Sequence, residues 1–521
     1  MVVFACAGNI AAQSRPPGSR NSRRVATGVN PAERADVARF RKRVEAALSA
    51  AGPDKGTWGV LVTDAVTGEV LYERNAGNYF TPASDAKLFT TALALATLGP
   101  DYRIRTVIAT SGTLDANGLL DGDLVLIGRG DANLSNRTFP YEKKVERDGP
   151  PGKVLAELAD AVAARGVKEI NGDVLADDSL FQPERFPSGW TIDDMLWPYG
   201  AAVSAIAVND NTFTIELRPG ALAGDPATYA LDPALDFYTI ENLIRTGPRG
   251  SEEKLAVARD PGSRLIRVSG RMPVGGSPRK LAIAIEEPAE YAANLLARLL
   301  DSRGIHVRGA ARARHAGDAA LSSASHPAEN ILAEHMSLPL AEDIRLTNKN
   351  SENLHAELLL LLAAHEKSGA TSYEEARKFA ADFFKTAGIA DGDVVLSDGS
   401  GLSRRDLVTP RAIVQMLRYA SVQPWGELYR SSLPVAGEDG TLTDRMKGTA
   451  AARRVFAKTG TIDHVNSLSG YATAVGGARL IFSILGNNNN LHAQAANSAI
   501  DAIAVAMVEE LGPQPATKRK K

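Results

Sequence analysis

Thr81-Pro82-Ala83-Ser84-Asp85-Ala86-Lys87-Leu88-Phe89 is the stretch around which the rest of the chain can be organised. A proline just inside a helix start loses no hydrogen bond, so Pro82 is expected to open a helix that the run Leu88 to Leu98 continues and Gly99-Pro100 stops. Apolar residues fall on every side of it, which predicts a buried central helix with only its first turn at a surface. Ser84 and Lys87 lie three residues apart and therefore on one face, a nucleophile beside a base.

Taken singly, Ser-x-x-Lys reads as a serine cap followed by a solvated lysine. Two further segments change that reading. One is Asn348-Lys349-Asn350-Ser351-Glu352-Asn353, which precedes an apolar helix; the other is Val455-Phe456-Ala457-Lys458-Thr459-Gly460-Thr461. In chain order these are S-x-x-K, S-x-N and K-T-G, the three elements of the penicillin-recognising serine acyl enzymes. Each piece alone has a structural reading: Ser351 and Asn353 as helix caps, Gly460 as a turn or bulge residue. Order and spacing together favour catalysis.

The chemistry needs these residue types. A serine hydroxyl is a poor nucleophile until its proton is taken, and Lys87 takes it only with a lowered pKa, which burial and a second cation both favour. Lys458 is the candidate second cation and, with the Thr459-Gly460-Thr461 edge, the holder of a substrate carboxylate. Ser351 is expected to pass a proton to the leaving amine and Asn353 to hydrogen-bond the substrate amide. The backbone N–H groups of Ser84 and Thr461 are the expected oxyanion hole. His355 and His464 lie close to these motifs, but no Gly-x-Ser-x-Gly elbow surrounds Ser84; His355 reads as a helix-surface residue and His464 as a loop residue. Neither has a partner at zinc-ligand spacing, so neither metal nor cofactor is expected.

Composition sets the outer bounds. The chain has 521 residues, 44% of them hydrophobic, enough for a large core and more than one domain. A net charge of -2 gives no reason to expect nucleic acid as a partner. Cys6 is the only cysteine, which excludes an intrachain disulfide. Met1 to Ala12 suggests an export signal ending near Ala11-Ala12, and thus a periplasmic or envelope location. The basic stretches Arg15 to Arg24 and Lys518 to Lys521 read as solvated tails. No later segment has eighteen consecutive apolar residues.

The expected fold is α+β. Pro31 to Ala51 reads as an amphipathic helix with Val37, Phe40, Val44 and Leu48 on one stripe. Thr57 to Asp64 and Glu69 to Arg74 read as a hairpin, and Arg453 to Lys458, Ser467 to Val475 and Ala478 to Leu485 as a meander before a final helix, Ala493 to Leu511. Together they predict one five-stranded antiparallel sheet built from both ends of the chain. Helices are also expected over Leu354 to His365, Ser372 to Ala387 and Pro410 to Tyr419, with a Gly/Ser-rich loop at Ser397 to Arg404. The catalytic part then comprises 31–99 and 327–512, flanked by a leader at 1–30 and a basic tail at 513–521. The intervening 100–326 is too long for a loop and reads as an α+β insertion. Strands are expected there at Tyr102 to Thr110, Leu124 to Ile127, Lys168 to Leu175, Thr212 to Leu217 and Leu265 to Val268, with a helix at Ala289 to Gly304. Phe186 to Glu253 looks interrupted by Pro, Gly and Asp.

With its long insertion, and with Gly128-Arg129-Gly130-Asp131-Ala132-Asn133-Leu134-Ser135, Ala202 to Asn211, Asp398 to Arg404 and Leu433 to Leu442, the chain resembles the class C low-molecular-mass penicillin-binding proteins, the D-Ala-D-Ala carboxypeptidase/endopeptidase family. The resemblance implies a transpeptidase-like β-lactamase/penicillin-binding domain carrying two nested insertions. It also implies release of D-Ala from peptidoglycan stem peptides, cleavage of D-Ala to diaminopimelate cross-links, and covalent capture by β-lactams. By motif, Asp177 and Arg404 would recognise the diaminopimelate side chain. Glu352 stands where the family commonly has Asp, and Ala132 where it usually has Pro. A β-lactamase and a noncatalytic penicillin-sensing or wall-binding protein are the alternatives. The insertion speaks against the first and the intact motifs against the second.

Overall fold

The computed structural model describes residues 34–50, 52–134, 137–138, 141, 149–318, 330–490 and 493–513. The leader and the basic tail beyond 513 lie outside the described residues, and past the expected boundary near His326 the strand Asn330–Met336 still pairs with Arg105–Thr110 of the middle region, so the catalytic part resumes only after Met336.

Thr57–Asp64 (β1) and Val70–Arg74 (β2) form the expected hairpin; Val455–Ile462 (β3), Val465–Thr473 (β4) and Arg479–Asn487 (β5) form the expected meander. β5 pairs antiparallel with β1, so both ends of the chain close one five-stranded sheet of order β2-β1-β5-β4-β3. Period-two alternation gives the sheet two buried faces. Trp58, Val60 and Val62 of β1 join Leu468, Phe482 and Ile484 on one face, while Leu61, Ile481 and Leu485 lie on the other.

Six helices frame the sheet: Ala35–Leu48 (α1), Lys87–Leu98 (α2), Leu340–Asn350 (α3), Asn353–Ser368 (α4), Pro410–Ser421 (α5) and Ala493–Glu510 (α6). α1 and α6 cover the first face. The predicted stripe Val37, Phe40, Val44 and Leu48 is buried there. α5 packs on the second face, with α2 against α5 and α4 against α2; α2 is buried at every position from Lys87 to Leu95, as an all-round apolar helix must be. Gly99, at φ 83°, ends it.

One difference at the start of α2 matters for the site. The α-helix begins at Lys87, not at Pro82, and Ala83–Ala86 form a 3₁₀ turn with Ala83 in the left-handed region at φ 49°. Two glycines grip this turn. A Cβ on Gly401 (φ 80°) would stand 1.9 Å from the Ala83 carbonyl oxygen, and one on Gly460 would stand 2.7 Å from that of Pro82. Only a residue without a side chain lets the Gly/Ser loop and β3 approach the Ser84 turn this closely. Gly460 is thus a close-approach residue.

The middle of the chain carries its own sheets. Ala311–Arg314, Val174–Asp177, Leu124–Ile127, Arg105–Thr110 and Asn330–Met336 make one of five strands, in that order. Two three-stranded sheets follow: Thr228–Asp232, Thr212–Arg218 and Arg279–Ala284, then Thr239–Gly247, Leu265–Pro273 and Lys254–Ala258. The strand expected over Lys168 to Leu175 is two short ones, Glu169–Ile170 and Val174–Asp177, in different sheets. Gly172 lies between them, packed so tightly on Gly122 that a Cβ would meet its carbonyl at 2.6 Å. The stretch read as interrupted, Phe186 to Glu253, holds three strands, preceded by the 3₁₀ turns Asp194–Leu196, Pro198–Gly200 and Asn209–Asn211, where several of its breakers sit. Helices Lys153–Ala164 and α3 were not among the expected elements. Among the described residues no helix is long and apolar enough to cross a membrane.

Candidate active site

Ser84 sits on the 3₁₀ turn at the mouth of a cavity of about 540 Å³, which Ser351, Asn353, Gly401, Arg404, Thr461 and His464 also line. Lys87 is fully buried one turn beyond. Its Nζ donates to Ser84 Oγ at 3.0 Å, to Asn353 Oδ1 at 2.6 Å and to the Ser400 carbonyl at 2.8 Å. Those three acceptors match the three N–H bonds of an ammonium; loss of one proton frees a lone pair within reach of the serine. Burial pulls Lys87 down to about 8, against the opposing attraction of Asp398, Glu357, Glu352 and Asp85.

The second lysine arrives from the sheet. Lys458 and Gly460 pair with Ser469 and Ser467 on the face that meets α2. Lys458 Nζ donates to Ser351 Oγ at 2.9 Å and to the Thr459 carbonyl at 2.8 Å. Burial, reinforced by repulsion from Lys87, holds it well below the ordinary lysine range. Asp85, next to the nucleophile, is fully buried, and burial pushes it up to about 7 against the pull of the neighbouring Ser469 hydroxyl and the Lys458 charge.

β3 is an edge strand, so alternate backbone groups on it point away from β4. Ala457 N donates outward, to the Pro434 carbonyl at 2.9 Å. The two-residue period puts the N–H groups of Thr459 and Thr461 on that same edge. Thr461 reaches the cavity, whereas the Thr459 hydroxyl bonds that of Thr441 at 2.6 Å. The predicted Ser84, Lys87, Ser351, Asn353, Lys458, Thr459, Gly460 and Thr461 are thus brought to one place.

The S-x-N segment is a tight joint between α3 and α4. Ser351 adopts φ 63°, a left-handed conformation costing a non-glycine residue on the order of 1–3 kcal/mol. Asn353 donates one Nδ2 hydrogen to the Tyr199 carbonyl at 2.7 Å, leaving the other for a ligand. The Gly/Ser loop is anchored from below by Glu357 of α4, whose two oxygens accept from the Gly399 and Ser400 amides at 2.8 Å each. Asp398 accepts from Gly401 N, Ser403 N and the Trp190 indole. This buried scaffold fixes the Ser400 carbonyl that Lys87 uses.

Two expectations are corrected. Asp177 is buried within Val174–Asp177, paired with Arg314 at 3.2 Å, and does not line the cavity, because the strand turns its side chain into the insertion. The insertion residue beside Arg404 is Asp194, 3.2 Å from its Nη1, with Asp463 on the other side at 3.6 Å. His355 is fully buried, not on a helix surface, and lies 2.6 Å from Asp343 and 3.4 Å from Asp210; these carboxylates outweigh burial and raise it to about 10. His464 is a turn residue, as expected, at the cavity rim with Nδ1 2.8 Å from the Asn489 carbonyl. Sequence reading also missed Tyr199. The signal was present in Trp190 to Tyr199, where three aromatic side chains bracket Asp193-Asp194 inside a breaker-rich stretch.

The D-Ala-D-Ala carboxypeptidase 3 (S13) family profile matches residues 41–509. A D-alanyl-D-alanine carboxypeptidase of Actinomadura sp. (strain R39) is 35% identical over 492 residues, covering 92% of this chain and 86% of the relative. The carboxypeptidase DacB of Haemophilus influenzae is 25% identical, covering 82% and 85%. The solved structure of penicillin binding protein 4 from Haemophilus influenzae superposes with a TM-score of 0.75 at 23% identity, over 90% of this chain and 97% of that one. That likeness carries the fold, and the sequence matches carry the family. This chain belongs to the D-Ala-D-Ala carboxypeptidase 3 (S13) family of penicillin-binding serine peptidases.

Proposed function

We propose that this D-Ala-D-Ala carboxypeptidase works through an acyl-enzyme on Ser84. The neutral Lys87 amine takes the hydroxyl proton as Ser84 Oγ attacks the carbonyl between the two terminal D-Ala residues of a stem peptide. The N–H groups of Ser84 and Thr461 hold the developing alkoxide. Ser351, paired with Lys458, returns a proton to the departing D-Ala amine, and water then hydrolyses the Ser84 ester. Lys458 and the Thr459-Gly460-Thr461 edge receive the terminal carboxylate, and the free Asn353 hydrogen the substrate amide. The observation that carries this reading is the 3.0 Å contact from a buried Lys87 to Ser84.

β-Lactams would acylate the same serine; the solved relative from Haemophilus influenzae was obtained in complex with one. Action on peptidoglycan requires export to the cell envelope or periplasm. The open cavity also suits a larger leaving amine, as in cleavage of a D-Ala cross-link. Among the cavity-lining residues the acids are Asp194 and Asp463 and no glutamate stands there, which favours a slowly deacylating peptidase over a β-lactamase.

Arg404 and Asp194, in place of the expected Asp177, form the candidate site for a stem-peptide side chain ending in both a carboxylate and an ammonium. The test is D-Ala release from two pentapeptides, one with such a zwitterionic third residue and one with an uncharged end. Arg404→Ala should raise KM for the first by about tenfold, one charge-assisted contact, and leave the second near wild type. Equal loss on both would remove Arg404 from recognition, and no D-Ala release by the wild-type protein would overturn the whole assignment.

A further inference from the structure

Alternating charges run from the middle of the S-x-N segment into the inserted region. Glu352 Oε1 accepts from Arg137 Nη2 at 2.8 Å, and the same nitrogen pairs with Asp210 Oδ2. The other Asp210 oxygen faces His355 Nε2 at 3.4 Å, and His355 Nδ1 reaches Asp343 at 2.6 Å. Glu352, Arg137, Asp210, His355 and Asp343 thus alternate in sign, and all but the partly open Glu352 are almost entirely buried. Charges so placed persist only where each is paired, so loss of one member leaves its neighbours uncompensated.

The route joins two parts of the chain. Asp343, Glu352 and His355 belong to α3, the catalytic joint and α4, whereas Arg137 and Asp210 come from the long intervening region. Asp210 stands at the centre of Asn209-Asp210-Asn211, three consecutive non-glycine residues in the left-handed region, at φ 54°, 53° and 51°. Side-chain bonds hold that turn: Asn209 Nδ2 to the Thr212 carbonyl at 2.7 Å and Asn211 Nδ2 to the Ala202 carbonyl at 2.8 Å. Backbone in such a conformation survives only where its surroundings over-determine it, and here it presents Asp210 to Arg137 and His355. At the other end, Ser351 is itself left-handed and Asn353 opens α4. Glu352 is the one residue between them.

We propose that Arg137 is a positioning residue for the acylation reaction: by holding Glu352 against Asp210, it fixes the joint that aims Ser351 at Lys458 and Asn353 at Lys87. It touches no substrate and acts only through Glu352. The proposal rests on the Ser84 acyl-enzyme reading, yet the two fail differently, because a wild-type protein without activity defeats that reading while the comparison below concerns variants of an active one.

The experiment is a double-mutant cycle with Arg137→Gln, Glu352→Gln and the pair, reading kcat and KM for D-Ala release and the rate of penicillin acylation. A misaimed joint should lower kcat on the order of 100-fold in each single variant, with KM within threefold, and the double variant should lose no more than either alone. Arg137→Lys should recover part of the loss. Multiplying losses, a change confined to KM, or kcat within threefold of wild type in folded Arg137→Gln would each overturn the proposal. Should Arg137→Gln not fold, Glu352→Gln, a partly exposed and isosteric change, must alone show the kcat loss; normal kcat there overturns it equally.

Discussion

Lys87→Ala is expected to lower the rate of penicillin acylation on the order of 10³-fold while leaving the protein folded. The methyl side chain keeps the helix, since alanine is the best helix former and α2 is packed on every side by apolar neighbours. What disappears is the only amine within hydrogen-bond reach of Ser84 Oγ among the described residues. A positioned general base contributes roughly 10²–10⁴-fold, and here its loss also leaves Asn353 Oδ1 and the Ser400 carbonyl without their shared donor. pH adds an independent signature. The catalytic form of Lys87 is the neutral amine, and burial lowers its pKa to about 8, so wild-type acylation should climb with pH through about 8 as the proton leaves. In Lys87→Ala that limb should vanish. Stopped-flow labelling with a fluorescent penicillin between pH 6 and 10, with circular dichroism to check folding, measures both; near-normal labelling in the variant would remove Lys87 as the base.

Lys458→Ala should cost about 10²–10³-fold in kcat/KM for D-Ala release, divided between both parameters. The Lys458 ammonium has two assignments, to orient Ser351 Oγ at 2.9 Å and to meet a substrate carboxylate, so its loss weakens proton return to the leaving amine and ground-state binding together. The electrostatics also shift. Lys458 repels Lys87 and attracts Asp85, both across the same buried interface. Its removal takes away the charge that draws Asp85 down, so Asp85 should move further up. Steady-state kinetics measures the loss. A kcat/KM within fivefold of wild type would show that β3 contributes backbone alone.

Much of this could be read from the chain because it rests on local patterns. The α2 stretch is apolar all round, the β1–β2 hairpin turns at Val66-Thr67-Gly68, and the β4–β5 turn falls at Gly476-Gly477; each is a short-range signal that fixes an element. Joining the two chain ends into one sheet followed from strand counting, since two strands alone are not stable. The long-range pairings were not legible in this way. Asp177 and Asp194 are both acidic residues near aromatic side chains, and which one faces the cavity depends on whether a strand of the insertion turns its side chain inward, a register that no local pattern announces. His355 has helix-surface spacing, yet Asp343, joined by Asp210 from far away in sequence, raises its pKa against burial. Gly401 and Gly460 announced turns, but their real constraint is the backbone of a third segment pressed against them. The 3₁₀ start of α2 follows from that same grip.

The proposed chemistry depends above all on Ser84 Oγ being the atom that becomes acylated in a cleft assembled from three distant segments. Incubating the full chain with a fluorescent penicillin, digesting it and locating the adduct by tandem mass spectrometry tests this most directly. One equivalent of label on Ser84, absent from Ser84→Ala, is the expected result. Label on Ser351 or another residue, or undiminished label in Ser84→Ala, would contradict it.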